Sequence, residues 1–359
     1  MNKITKLFVA ILSSVVLSTS AFAGDLAVTG SANASYAVSG GPGNNNDVGL
    51  GISNELKFAA SGELDNGFTW SYFMELDGND SGAHDNDDSQ LSIGMGGAGT
   101  LKLNDSEGGL STETGFGIGA LGVGQDFAAA DAFAGHAEDV SGSGNIEYNT
   151  PADILPFGFA AKVAYVPNSS DGDNNSYKST GGANQAGASG QSALMYQVTL
   201  APIDGLALGA SYKSAENTAG TNVQEAESGG WYANYSIGNF KIGYGEQLSA
   251  PAIDGAARIS AGAYLYEMDQ QGIEVALNDA MTVSYSKEES TRKSYGGSTN
   301  SAAGASPFTR TSVTYELESL QASYDIGGAT VGIANQEGKN SGYGNNEASL
   351  TIVSLSMAF

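Results

Sequence analysis

The residue types that usually carry acid–base or nucleophilic catalysis are scarce in this sequence. There are two histidines, His84 and His136, and no cysteine. No serine stands at a recognisable spacing from either histidine, so the sequence offers no triad of the serine-hydrolase type. The lack of cysteine excludes thiol nucleophiles and thiolate metal sites. We therefore predict that the chain is not an enzyme and has no catalytic residue.

Carboxylates are abundant, with 39 acidic residues against 14 basic ones and a net charge of −25. Such a chain repels nucleic acid, so no nucleic-acid partner is expected. Asp171, Asp173 and Asn175 match the first three positions of a calcium loop. Ser176 stands where that loop needs glycine, and Gly182 where it needs the closing glutamate, so this is not an EF-hand. No metal site or cofactor is predicted. Solvated acidic loops and loosely bound Ca²⁺ both stay open as interpretations.

The start of the chain has the features of an export signal. Two lysines precede an apolar run over residues 7–17, and small residues at Ala21 and Ala23 provide a cleavage pattern. An uncleaved anchor helix is the alternative, but the run is shorter than the ~20 residues that a spanning helix needs. We therefore expect residues 1–23 to be a signal peptide and residues 24–359 to form one domain.

Hydrophobicity in the mature chain repeats with a period of two. Phe68, Trp70 and Tyr72 alternate with Thr69 and Ser71, which is the pattern of a half-buried strand. The same pattern predicts about sixteen strands, near the number typical of general outer-membrane channels. These strands are predicted over residues 26–38, 48–63, 67–77, 88–96, 99–104, 144–149, 157–167, 191–201, 205–214, 228–237, 240–247, 257–277, 281–289, 309–326, 329–337 and 347–359.

The connections between these strands fall into two sets. Tight ones are predicted at 65–67, 96–98, 202–205, 237–239, 278–279 and 327–328, and long polar ones at 39–47, 78–87, 105–143, 168–190, 215–227, 248–256, 290–308 and 338–346. Short turns at one end and long loops at the other are typical of outer-membrane barrels. The predicted fold is therefore all-β: a transmembrane antiparallel β-barrel with short periplasmic turns and long extracellular loops.

Charged residues on the strands test this prediction. With the apolar residues facing lipid, Lys57, Glu75 and Glu316 are among those that fall on the inward face. This suits a barrel, because a lysine facing the middle of the bilayer costs ~2–4 kcal/mol. In the strand that carries Glu316, the apolar residues change from one face to the other between Leu317 and Leu320, which predicts a β-bulge or a misplaced loop edge.

The mature chain resembles the Gram-negative general porins, closest in style to those of alphaproteobacteria. The resemblance lies in the layout and in three short motifs: the Gly24-Asp25-Leu26 start, the Asp65-Asn66-Gly67 turn and the terminal Phe359 of an alternating last strand. It implies a homotrimer of water-filled barrels in the lipid of the cell outer membrane. It also implies that the barrel-assembly machinery recognises the last strand, with Phe359 as the assembly signal.

The resemblance further implies that the third long loop, residues 105–143, folds into the pore and narrows it. In such porins, acidic loop residues face basic residues of the wall. The corresponding constriction here would consist of Lys57, Lys102, Asp105, Glu107, Glu113, Asp126 and Asp131. Porins of this kind commonly use several arginines in the wall, whereas the arginines here, Arg258, Arg292 and Arg310, all come late. The excess of acids predicts a channel that leans towards cations.

Three functions remain in competition. The first is a channel for passive diffusion of small hydrophilic solutes and ions. The second is a secreted β-rich adhesin or surface-layer protein, which the acidity and glycine content also suit. The third is a substrate-specific outer-membrane channel lined by a track of aromatic residues. The alternating loop lengths and the terminal Phe359 favour a barrel over the second function, and the solute cannot be identified from the sequence.

Overall fold

The structure is a computed structural model. It describes residues 26–41, 48–78, 84–105, 108–110, 116–118, 140, 144–151, 154–167, 192–215, 222–251, 253–254, 262–296 and 309–359. Among these residues, no helix is long and apolar enough to cross a membrane. The predicted signal peptide lies outside the described residues.

This part of the chain forms eighteen strands and one 3₁₀ turn at Gly96–Ala98. The strands are β1 (Leu26–Gly40), β2 (Val48–Glu63), β3 (Thr69–Gly78), β4 (His84–Gly94), β5 (Thr100–Asp105), β6 (Asn145–Asn149), β7 (Ala160–Val166), β8 (Ala193–Leu200), β9 (Leu206–Ala215), β10 (Asn222–Gln224), β11 (Ala226–Ile237), β12 (Phe240–Ala250), β13 (Ile253–Asp254), β14 (Gly262–Asn278), β15 (Met281–Gly296), β16 (Thr309–Asp325), β17 (Ala329–Ser341) and β18 (Asn346–Ala358).

Sixteen of the strands form one closed antiparallel barrel, in which each pairs with its neighbours in the chain and β18 returns to pair with β1. The two short strands β10 and β13 pair with each other outside the barrel, within two predicted loops. The predicted fold class and all sixteen predicted barrel strands are therefore confirmed. One predicted long loop is wrong: β17 and β18 continue through residues 338–346 until only the turn at 342–345 remains.

The tight turns lie at one end of the barrel, as predicted. In the first of them, Gly67 has a φ of +79°, which glycine adopts without steric cost. The Gly67 amide donates to the Leu64 carbonyl at 2.8 Å, and the Asn66 side chain accepts from the Phe68 amide at 3.0 Å. The polar groups of this turn are thus satisfied locally, which fixes the register of β2 and β3.

The two faces of the sheet are inverted relative to those of a soluble protein. Gln270 faces inward and is 0% exposed, whereas Leu50 faces outward and is 80% exposed. The other large, exposed apolar side chains of the outer face include Val28, Tyr36, Ile52, Tyr72, Tyr196, Tyr212, Trp231, Ile242, Ile273, Tyr285, Leu320, Ile333 and Val353. The barrel therefore has a polar interior and an apolar outer belt.

The expectation that Glu316 faces inward is wrong, and so is the predicted bulge. β16 pairs with β15 without a register shift from Thr309 to Asp325. The apolar parity flips because Tyr315 and Leu317 face the barrel interior, where both are buried. Glu316 consequently lies on the outer face, near the loop end, where it pairs with Lys287 at 3.7 Å and Lys339 at 3.8 Å.

β18 closes the barrel by pairing with β1 from Ser31 opposite Ala358 to Gly40 opposite Ser349, and the final residue extends this seam. The Gly30 amide donates to the Phe359 carbonyl at 2.7 Å, and the Phe359 amide donates to the Gly30 carbonyl at 2.9 Å. A Cβ atom at Gly30 would lie 2.7 Å from the Phe359 ring, so the ring covers this glycine directly. Phe359 therefore contributes both backbone and side chain to the seam between β1 and β18.

We predict that deleting Phe359 destabilises the folded barrel by about 1–3 kcal/mol, because two backbone hydrogen bonds of the seam are lost. Urea unfolding of the refolded protein in detergent measures this change. Phe359→Tyr, which retains the ring and the backbone, is the control and should unfold like the parent chain. Equal stability of all three proteins would show that the seam does not depend on this residue.

Candidate functional site: the barrel lumen

The third long loop, between β5 and β6, folds into the barrel where it is described. Leu110 and Val140 are buried against inward side chains of the wall, among them Ala164 and Met195. The side-chain amide of Gln197, on β8, donates to the Leu110 carbonyl at 2.9 Å. The start of the loop is therefore held on the inner face of β7 and β8, which confirms the prediction that this loop enters the pore.

Further along the loop, Phe116 and Ile118 reach a neighbouring part of the wall, from β11 to β14. Both are buried and pack against Tyr232 of β11. The Asn234 side chain donates to the Phe116 carbonyl at 2.9 Å, and the Lys241 ammonium donates to the Gly117 carbonyl. The described loop residues thus cross the inner wall from β8 to β12.

Two glycines of the wall make room for this contact. A Cβ at Gly243 would lie 3.0 Å from atoms of both Phe116 and Ile118, and a Cβ at Gly272 would lie 2.6 Å from Ile118. Glycine within a strand often marks the close approach of another segment. Sequence reasoning missed both positions, although an inward glycine in the middle of a long strand was a usable signal. We call Gly243 and Gly272 the loop sockets.

The two predicted wall lysines face the lumen, but each is already paired with a wall carboxylate. Lys57 forms a salt bridge with Glu75, and Lys102 lies 3.3 Å from Glu147. Register explains both pairs, because Lys57 stands opposite Glu75 and Lys102 opposite Glu147 on adjacent strands. An electric field between these lysines and acids of the third loop stays a prediction. The positive charge of each lysine is largely offset by the glutamate with which it is paired.

Of the remaining predicted constriction residues, the structure describes Asp105 alone. Glu107, Glu113, Asp126 and Asp131 lie outside the described residues. Asp105 ends β5 opposite Ser89 and shares the strand face of Leu103, whereas Lys102 is on the other face. Asp105 therefore does not line the lumen beside Lys102, because the two are three positions apart and an odd offset places side chains on opposite faces of a strand.

The segment that partly matches a calcium loop, residues 171–182, also lies outside the described residues. Among the residues that the structure describes, no three histidine or carboxylate side chains are clustered as a metal site requires.

The sockets predict how the loop behaves. Gly272→Val would place a branched side chain in the space of Ile118 and should detach this part of the loop from the wall. We expect single-channel recordings in a planar bilayer to show raised open-channel noise and more than one conductance level. Gly49→Val is the matched control, because a Cβ at Gly49 meets no atom within 4 Å. Recordings of Gly272→Val that match those of the control would contradict the socket contact.

Comparison with known proteins gives a match at the level of structure alone. No protein-family model and no curated protein matches the chain. The fold is similar to a loop-deletion mutant of OmpT, an outer membrane protein of Vibrio cholerae (TM-score 0.63, 14% identity, covering 94% of this chain and 100% of that one). It is also similar to in-vitro folded OmpT of the same organism in its trimer form (TM-score 0.59, 13% identity, 94% and 100% covered).

An anion-selective porin from Comamonas acidovorans is similar too, with a TM-score of 0.60, 13% identity and coverage of 94% of this chain and 100% of that one. These matches span nearly the whole chain, the described part of which forms the closed sixteen-stranded barrel. The chain therefore has the fold of the Gram-negative porins.

Proposed function

We propose that this protein is a porin of the cell outer membrane, which forms a water-filled channel for passive diffusion of small hydrophilic solutes and ions. The observation that carries the proposal is the inverted closed barrel, with polar side chains inward and apolar side chains outward. Closure leaves no unpaired sheet edge to face lipid, and the polar interior suits a solvated passage. The proposal requires no catalytic step.

The outer face supports a membrane location at its loop end. The Tyr244 hydroxyl donates to Glu246 at 2.9 Å and to Asp269 at 3.3 Å, and the Tyr285 hydroxyl donates to Glu318 at 3.1 Å. In each case the carboxylate lies on the loop side of the tyrosine. Aromatic residues with an apolar body and a polar tip mark the membrane boundary in outer-membrane barrels. We infer that the apolar belt ends at these tyrosines and that the charged residues beyond them lie in the headgroup region.

The alternative of a secreted adhesin or surface-layer protein fits the outer face poorly. A protein in water has no reason to expose Leu50, Ile52 and Ile242 along one continuous belt, since contiguous apolar surface in soluble proteins is normally small. A lipid environment removes that cost.

Reconstitution tests the function directly. Purified protein added to a planar bilayer should produce discrete steps of ohmic conductance in potassium chloride, and folded protein should be extracted only with detergent. Folded protein that is released without detergent and gives no conductance steps would contradict the proposal.

We also propose that the channel leans towards cations. The lumenal lysines Lys57 and Lys102 are matched by Glu75 and Glu147, so each pair adds no net charge to the wall. The acids Asp126 and Asp131 of the third loop would then keep their negative charge uncompensated by these lysines. Uncompensated carboxylates at a narrow point favour cations over anions.

Reversal potentials in a salt gradient test this selectivity. Asp126→Asn with Asp131→Asn should lower the cation-to-anion permeability ratio, because two negative charges leave the narrow part of the pore. The double variant Lys102→Gln with Glu147→Gln is the matched control: it removes one charge of each sign and should leave the ratio nearly unchanged. If the ratio changes in the Lys102/Glu147 variant and not in the Asp126/Asp131 variant, the ion selectivity depends on the Lys102–Glu147 pair instead of the loop.

Self-association as a homotrimer is a further part of the proposal. OmpT of Vibrio cholerae, whose fold is similar, has a trimer form. The outer face of β1 carries the small residues Gly30, Ala32 and Ala34, which let a neighbouring wall approach closely. Gly30 is already covered by Phe359 of the same chain. The contact with a neighbour would therefore centre on Ala32 and Ala34.

Light scattering in mild detergent is expected to give the mass of three chains. Ala34→Trp should reduce the measured mass to that of one chain. The indole is compatible with lipid but blocks the close approach of a second barrel wall. Ala322→Trp makes the same change on the outer face of β16 and should leave the trimer intact. Parent protein with the mass of a single chain would contradict the trimer.

Export and assembly complete the proposal. Residues 1–23 would direct export, and the final strand with Phe359 would be recognised by the barrel-assembly machinery. The deletion of Phe359 described above should therefore leave export intact in cells, while the truncated protein accumulates unfolded in the periplasm. Normal amounts of it in the outer membrane would contradict this role.

A further inference from the structure

The last hairpin of the barrel turns into the lumen instead of outward. Between β17 and β18 only residues 342–345 remain, and Tyr343 in this turn is 6% exposed. Tyr343 has a φ of +56° and Asn340 a φ of +57°, a region that non-glycine residues seldom occupy. Such backbone geometry persists only where surrounding contacts hold it in place.

Those contacts are visible on three neighbouring strands. The Tyr343 hydroxyl is 2.7 Å from the Ser290 hydroxyl, and the Tyr343 ring lies 5.7 Å from that of Tyr266 and 6.0 Å from that of Tyr315. The Asn340 side chain donates to a backbone carbonyl of β16 at 2.7 Å. The inward-facing Met268, Leu317 and Leu350 complete the cluster. Tyr343 is thus a fixed aromatic surface at the loop end of the lumen.

Arg292 of β15 lies on this surface. Its guanidinium carbon is 4.8 Å from the centroid of the Tyr343 ring, and one of its terminal nitrogens is 3.5 Å from the Tyr343 carbonyl. The register places Arg292 opposite Tyr266 and Val313, both of which contact the lumenal cluster, so Arg292 also faces inward. It is half-buried.

Arg292 differs from the lumenal lysines, because none of the described carboxylates is its counter-ion. Lys57 and Lys102 each form a salt bridge, whereas among the described residues no carboxylate lies within salt-bridge distance of Arg292. Its Nε is buried and makes no hydrogen bond in this part of the chain. A guanidinium that is stacked on an aromatic ring, but not paired with an acid, still has donor hydrogens on its terminal nitrogens for a ligand.

We propose that Arg292, positioned by Tyr343, is a lumenal subsite for small carboxylate-bearing solutes. A planar guanidinium matches a carboxylate with two parallel hydrogen bonds, which a lysine ammonium cannot provide. Stacking on Tyr343 orients the guanidinium and restricts its rotamers before a solute binds. Binding therefore costs less side-chain conformational entropy. The subsite rests on the proposed channel function and names a class of solute for it.

The subsite is compatible with a channel that leans towards cations. Under the proposed preference for cations, a free anion such as chloride gains little from one arginine. A carboxylate gains directional hydrogen bonds in addition to charge attraction. Binding that is weak enough to release the solute still allows passage, because conduction needs sites that are easy to leave.

The experiment uses the full-length protein in planar bilayers, with succinate added to the loop side during potassium chloride conduction. We expect succinate to produce concentration-dependent current noise and partial block. Arg292→Gln should weaken this block about tenfold or more, the usual loss for one charge-assisted pair. Arg310→Gln is the matched control, because Arg310 is exposed and has the outward strand parity of Thr314. It should retain the block.

Tyr343 variants separate positioning from mere folding. Tyr343→Phe keeps the ring and should retain most of the succinate block, whereas Tyr343→Ala should lose it while potassium chloride conductance persists. Succinate block that is equal in the parent protein, Arg292→Gln and Arg310→Gln would overturn the subsite. Block by inorganic phosphate at concentrations equal to or below those of succinate would overturn its assignment to carboxylates. A protein without any conductance would instead contradict the channel itself.

Discussion

Hydrogen bonding of the backbone is the constraint on which the rest of this structure depends. A strand in lipid has no water to satisfy its amides and carbonyls, so an open sheet edge is excluded and the sheet must close. Closure occurs where the last strand pairs with the first, and the reciprocal bonds between Gly30 and Phe359 end that seam. Once the sheet is closed, every side chain points either into the lumen or out of the barrel, and strand parity alone decides which.

The alternation of side chains between the two faces of each strand explains which strand boundaries the sequence predicts correctly. Where one face is apolar and the other polar, as in β2, the period-two pattern predicts the strand to the residue. Beyond the apolar belt both faces are polar. In β15, Lys287 and Glu289 face outward while Ser290 and Arg292 face inward, so hydrophobicity no longer alternates and the strand was predicted to end too early. The inward turn at 342–345 was mistaken for a long loop for the same reason.

The candidate site was less predictable than the fold, because its chemistry depends on pairs across strands. Composition and alternation place Lys57 and Lys102 on the inner wall, and the structure agrees. Their neutralisation by Glu75 and Glu147 depends on register, which hydrophobic alternation does not specify to the residue. The loop sockets were missed for a related reason: a glycine says nothing about which segment approaches it until the path of the third loop is known.

Charged residues inside the barrel have two different roles, which depend on whether a residue of opposite charge stands opposite them. A lysine opposite a glutamate on the next strand contributes to the wall and offers little field to a passing ion, since the two charges nearly cancel at a distance. A cation without such a partner acts on solutes directly. Arg292 has an aromatic ring beneath it in place of a carboxylate, and that ring satisfies its packing without cancelling its charge. A lumen that favours cations in general can therefore still recognise an anionic group at one point, because the first property depends on net charge and the second on one oriented donor.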